Sequence, residues 1–148
     1  MRFRWSALAV CVLALGLMPR AGLAQGSPPA KAKAALKQNY PNPFNPETRG
    51  DFSIDDPPAC PAGGVQHRVS VKIYNLLSQL VAVPQLQRGT GGVAGGQRLD
   101  NVLLPCGTYT WYWNGNYDGT SQEASSGIYL LVLQVDGTRT MIKMTVAK

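Results

Sequence analysis

One histidine, His67, is the natural candidate for a general base near neutral pH, so any Ser-His-Asp or Cys-His device would have to be built on it. It stands beside Arg68 at the end of a Pro- and Gly-rich stretch, Asp55 to Gln66, where a solvated loop histidine is the expectation. Carboxylate pairs of the kind that cleave glycosidic bonds could be drawn from Asp51, Asp55, Asp56, Asp100, Asp118, Glu123 and Asp136. Of these, Asp55-Asp56 run into Pro57-Pro58 and read as a turn. No Gly-Lys-Ser/Thr phosphate loop is present, and the glycines from Gly89 to Gly96 open no helix. Asn114, Asn116 and Asp118, followed by Gly119, have the alternating spacing of calcium-loop ligands. The first position is Asn rather than Asp, and the twelfth is Ser125 rather than Glu, so a turn whose side chains cap their own backbone is the expectation. A non-enzymatic chain without metal or cofactor follows.

The aromatic run Tyr109, Trp111, Tyr112, Trp113, Tyr117 could supply a sugar-stacking platform. Strand alternation sends Tyr109, Trp111 and Trp113 to one face, the core. Tyr112 and Tyr117 are left for the surface, which are too few for a carbohydrate site on sequence alone.

The elements that position these residues begin with an address. Arg2 and Arg4 precede an apolar run from Ser6 to Leu17, ended by Pro19, and Gly22-Leu23-Ala24 supplies small residues before a cleavage point. That is the three-part pattern of a signal peptide over residues 1–24. The run is short of the ~20 residues that span a bilayer, so no transmembrane segment is expected after cleavage. Loss of Arg2, Arg4 and Arg20 leaves 11 basic against 8 acidic residues, scattered without a basic stripe, which argues against nucleic-acid binding. Cys60 and Cys106 remain as an even pair in an exported chain and read as a disulfide.

Residues 25–38, with Pro28, Pro29 and a Lys/Ala stretch, read as a linker with at most one helical turn. Residues 39–148 change to short strands and turns, as 16 glycines and 11 prolines in 148 residues demand. Strands are expected at Asp51–Ile54, Val69–Tyr74, Leu80–Val83, Leu99–Leu104, Tyr109–Asn114, Ile128–Val135 and Arg139–Val146. Ile128–Val135 is apolar enough to be buried on both faces. Asp136-Gly137 is a type I′ hairpin turn, and Arg88–Arg98 a flexible Gly-rich loop. About seven strands and no helix give an antiparallel β-sandwich, with a small barrel as the other solution.

Five ordered blocks over residues 38–148 resemble a known family. Gln38-Asn39-Tyr40-Pro41-Asn42-Pro43-Phe44-Asn45-Pro46-Glu47-Thr48 resembles the opening motif of type IX, type A C-terminal sorting domains and of the related Ig-like domain of flagellar hook-capping proteins. Val69 to Val81 is similar to the next block. Trp113-Asn114-Gly115-Asn116-Tyr117-Asp118-Gly119 is similar to a Trp-Asp-Gly turn, Ser126-Gly127-Ile128-Tyr129-Leu130 to a Ser-Gly-Val-Tyr strand, and Lys143-Met144-Thr145-Val146 to a terminal Lys-Met-Val strand. The resemblance implies an Ig-like sandwich whose last strand is read by an export apparatus or surface assembly. Pro41, Pro43 and Pro46 would hold the opening segment extended, with Tyr40 and Phe44 as anchors and Trp113 in the core.

The expected function is therefore a non-catalytic, exported module for sorting, cell-surface attachment or protein–protein interaction, placed outside the cell, on its surface or in a periplasm. The alternative is a stand-alone extracellular structural or polymer-binding subunit, carbohydrate-binding or appendage-assembling.

Overall fold

The computed structural model describes residues 31–57, 60, 64–89 and 93–148. The signal-peptide region and the first part of the expected linker lie outside the described residues. Nine strands are described: β1 (Ala34–Leu36), β2 (Thr48–Ile54), β3 (Gln66–Asn75), β4 (Leu80–Ala82), β5 (Gln85–Gly89), β6 (Val102–Pro105), β7 (Gly107–Trp113), β8 (Gly127–Val135) and β9 (Thr138–Val146). They form two antiparallel sheets, β1-β2-β7-β5 and β4-β3-β8-β9, with β6 also pairing on β3. No helix among the described residues is long and apolar enough to cross a membrane.

Alternation builds the core. Along β7 every second residue is buried, which turns Tyr109, Trp111 and Trp113 inward. From β2 come Phe52 and Ile54, from β3 Val69, Val71 and Ile73, and from β8 Leu131, Leu133 and Val135. Phe52 stacks on Tyr109 with centroids 5.3 Å apart. The β8–β9 hairpin turns on Asp136 and Gly137 at φ 46° and 84°, the two positive values that a type I′ turn requires.

Four expectations are corrected. The stretch read as linker contains β1, which pairs with β2 from Ala34↔Ile54 to Leu36↔Phe52 in place of a helical turn. The edge of β2 supplies the hydrogen-bonding groups that an isolated Ala-rich turn lacks. The Gly-rich stretch is in part a strand: β5 runs along β7 from Gln85↔Tyr112 to Gly89↔Tyr109. A Cβ on Gly89 would stand 2.6 Å from the Tyr109 ring, so this glycine serves close approach rather than flexibility. β8 is buried on one face only; Leu130 and Val132 on the other are half-buried. The opening prolines do not run extended: residues 41–46 bend, with cis peptides at Tyr40-Pro41, Asn42-Pro43 and Asn45-Pro46.

Candidate functional site

Residues from four of the five blocks meet at one end of the sandwich. Phe44 is buried edge-on to Trp113, with centroids 5.5 Å apart, and Trp113 lies edge-on to Tyr129 at 5.9 Å. The Trp113 indole N–H donates to the Asn116 carbonyl at 2.8 Å, and the Tyr129 hydroxyl to the Ser125 carbonyl at 2.8 Å. Gly115, at φ 82°, lies so close to Pro46 that a Cβ would fall 2.0 Å from its carbonyl oxygen. Asn42 Oδ1 accepts from Thr145 N, Phe44 N donates to the Thr145 carbonyl, and Ala147 N to the Phe44 carbonyl. Gln38 Nε2 donates to the Lys143 carbonyl at 2.9 Å. The opening segment thus covers the outward edge of the last residues of β9. Gly127 opens β8 at φ 155°.

Tyr40 is no anchor. Its backbone pairs with Arg49, which leaves the side chain 73% exposed. Pro41 uses its carbonyl to accept from Asn39 Nδ2 and Thr48 Oγ1, both at 2.9 Å, while Pro43 and Asn45 are exposed. These residues shape a packing joint.

His67 is not the solvated loop residue expected. It lies in β3, buried at 7% exposure, with Nδ1 2.6 Å from Asp136 Oδ2 and Nε2 3.0 Å from Asp55 Oδ2. Asp136 Oδ1 also accepts from Arg68 N at 2.8 Å. Burial works to raise the Asp136 carboxyl, but the hydrogen bonds from His67 and Arg68 outweigh it and hold the group below its ordinary value. Both ring nitrogens are spent on carboxylates, so the imidazole is a tie rather than a base for a hydroxyl. The sequence carried a signal for its burial: His67 shares the period-2 phase of Val69, Val71 and Ile73, the inward face of β3. Its partners, 12 residues before and 69 after, had none.

The calcium-like spacing resolves differently. Asn114 Oδ1 accepts from Asn116 N at 3.0 Å, a local cap. Asp118 meets the Arg98 guanidinium through both carboxylate oxygens at 2.7 Å each. That fork lowers the Asp118 carboxyl and raises Arg98. A cation already occupies the loop's one carboxylate. Cys60 and Cys106 are joined, with Cα atoms 5.6 Å apart.

The outer face of the second sheet carries a different pattern. Register aligns three cross-strand rows there: Tyr74–Leu130–Lys143, Lys72–Val132–Met141 and Ser70–Gln134–Arg139. All of these residues but Lys143 line a shallow cleft of about 280 Å³, in which Met141 is 58% exposed. No protein-family model matches the chain, and neither a curated protein nor a solved structure is significantly similar to it.

Proposed function

We propose that this chain is an exported, non-catalytic Ig-like module that docks a protein partner on the outer face of its β3–β8–β9 sheet. The observation that carries this reading is the grid of three rows. An apolar centre of Leu130, Val132, Met141 and Tyr74 is framed by Lys72, Arg139 and Lys143. Contiguous apolar surface ringed by polar groups is what interaction sites look like, whereas scattered exposed apolar residues are ordinary. Lys72 is compensated by Asp100 at 3.1 Å, and no salt bridge among the described residues engages Arg139 or Lys143. The partner that fits is a protein surface with an apolar patch and acidic flanks. The resemblance to sorting and hook-capping domains supports the same reading, because Lys143 lies in the terminal strand that it singles out. The disulfide fits an exporting route.

The test fuses residues 25–148 behind a neutral reporter in a host with the matching export system, and compares the fusion with Met141→Glu. Met141 points away from the core and pairs with Val132, so the change leaves the β8–β9 ladder intact. The parent should reach the cell surface and Met141→Glu should remain in the periplasm, with identical circular dichroism. Equal localisation of the two folded fusions would remove the outer face from the function.

A further inference from the structure

The start of β5, the end of β7, Arg98 and the Asn114–Thr120 turn enclose a cleft of about 260 Å³. Its floor includes Ala82, Val83 and Trp113, all buried. Its walls include Tyr112 and Tyr117, both half-buried, with part of each ring left to solvent. Gln85, Asn114 and Asp118 reach the rim as exposed residues.

The chemistry of this lining is specific. Arg98 and Asp118 form a two-bond fork at 2.7 Å and 2.7 Å, so the one cation and the one anion in the cleft cancel. Each Asp118 oxygen keeps acceptor capacity beyond its bond to Arg98. Asn114 spends only its Oδ1 on Asn116 N, which leaves its amide donors to point elsewhere. Tyr112 is held in place by its hydroxyl, which donates to Glu47 Oε2 at 2.6 Å. Thr120 Oγ1 is held by bonds to the Tyr117 carbonyl at 3.0 Å and to Gln122 N at 3.2 Å. These bonds fix the walls before any ligand arrives, which lowers the ordering cost of binding.

A site with no net charge gives an ion no advantage. A mainly polar lining of planar amide, guanidinium and carboxylate groups, with the half-buried Tyr112 and Tyr117 beside it, matches a molecule that has hydroxyls on its edges and C–H bonds on its faces. We propose that this cleft binds one unit of a neutral saccharide, with a C–H face against Tyr117 or Tyr112 and ring hydroxyls bonded to Gln85, Asn114 and Asp118. Its volume is close to the lower end of the ~300–1,000 Å³ range of small-molecule sites, which suits a single sugar ring of a longer chain. Two half-buried tyrosines alone would not make such a site; Arg98 and Gln85 reach it from other parts of the chain, and only the fold assembles them. The inference does not depend on the outer-face docking reading, since no residue lines both clefts.

The experiment titrates the purified, disulfide-intact protein by calorimetry with cellohexaose, xylohexaose, maltohexaose, laminarihexaose and chitohexaose. At least one should bind with saturable heat, and Tyr117→Ala and Gln85→Ala should each weaken it by at least tenfold. Tyr117 is partly packed, so melting curves accompany both variants; Gln85 is exposed, and its truncation leaves the fold intact and carries the test if Tyr117→Ala melts. Failure of all five sugars to bind would overturn the proposal. So would binding unaffected by Gln85→Ala, which would place the sugar elsewhere.

Discussion

His67 bridges two carboxylates, with its ring nitrogens 2.6 Å from Asp136 Oδ2 and 3.0 Å from Asp55 Oδ2. Asp55 at φ 58° presents its side chain inward, and its own N–H donates to the Lys33 carbonyl at 2.6 Å. Beside it Lys33 pairs with Asp56 at 2.6 Å in solvent. Replacing His67 by Ala leaves two carboxylates facing a void, Asp55 only 19% exposed at its side chain. The expected loss is about 1–3 kcal/mol, the cost of stranding a buried polar group, read as a shift in the urea midpoint. Asp136→Asn tests the charge apart from the turn, because Asn-Gly is as good a type I′ pair as Asp-Gly. Asp136 titrates below its ordinary value in the folded state. Its stabilisation is therefore present above the unfolded value near 3.9 and is lost as pH falls through the folded value. As pH falls from about 5 through the folded value, the parent should lose more stability than Asp136→Asn. Superimposable pH curves for the two proteins would show that the tie to His67 is not ionic.

At the scale of elements, the turn after β7 and the opening segment form a single joint, and Gly115 is its tightest point. An alanine there would carry a Cβ at φ 82° and 2.0 Å from the Pro46 carbonyl oxygen, a backbone atom that no rotamer change can move away. Left-handed strain in a non-glycine residue costs about 1–3 kcal/mol, and the contact adds to it. Gly115→Ala should therefore melt well below the parent, with the Phe44–Trp113 near-ultraviolet circular dichroism signal altered first. An unchanged melting temperature would mean that the joint is loose. This joint was half legible in the sequence. The alternation of Tyr109, Trp111 and Trp113 announced which aromatic faces inward, and the Asp-Gly pair announced the hairpin, since both are local rules. Strand β1 was not legible, because Ala34-Ala35-Leu36 has no strand preference of its own and becomes a strand only by pairing with β2. The apolar run of β8 misled for a related reason. Apolar content records that a residue avoids water and does not record whether a second layer or a partner covers it.

The whole molecule is closed at one end by the disulfide, and the topology gives its position a meaning. The chain passes from the first sheet to the second between β2 and β3, through Cys60, and from the second sheet back to the first between β6 and β7, at Cys106. The bond therefore joins these two of the chain's five crossings between the sheets. It sits next to rungs that both sheets already make, Ile54↔Gly107 in one and Gln66↔Pro105 in the other. The His67 tie links the same β2–β3 crossing, through Asp55, to the β8–β9 turn. Because the neighbouring rungs hold the crossings together in the native state, the bond adds little there; its effect falls on the unfolded chain. Residues 60 and 106 are 46 positions apart, and closing such a loop removes about 4 kcal/mol of unfolded-state entropy on the chain-entropy account. The double variant Cys60→Ala with Cys106→Ala should thus lose about 2–4 kcal/mol. It should also unfold with a steeper dependence on urea, since an uncrosslinked chain exposes more surface. A large loss with an unchanged slope would shift the effect to the native state and mean that the crossings come apart without the bond. No loss at all would mean that the rungs and the His67 tie already hold this end closed and that the cross-link does not constrain the unfolded chain.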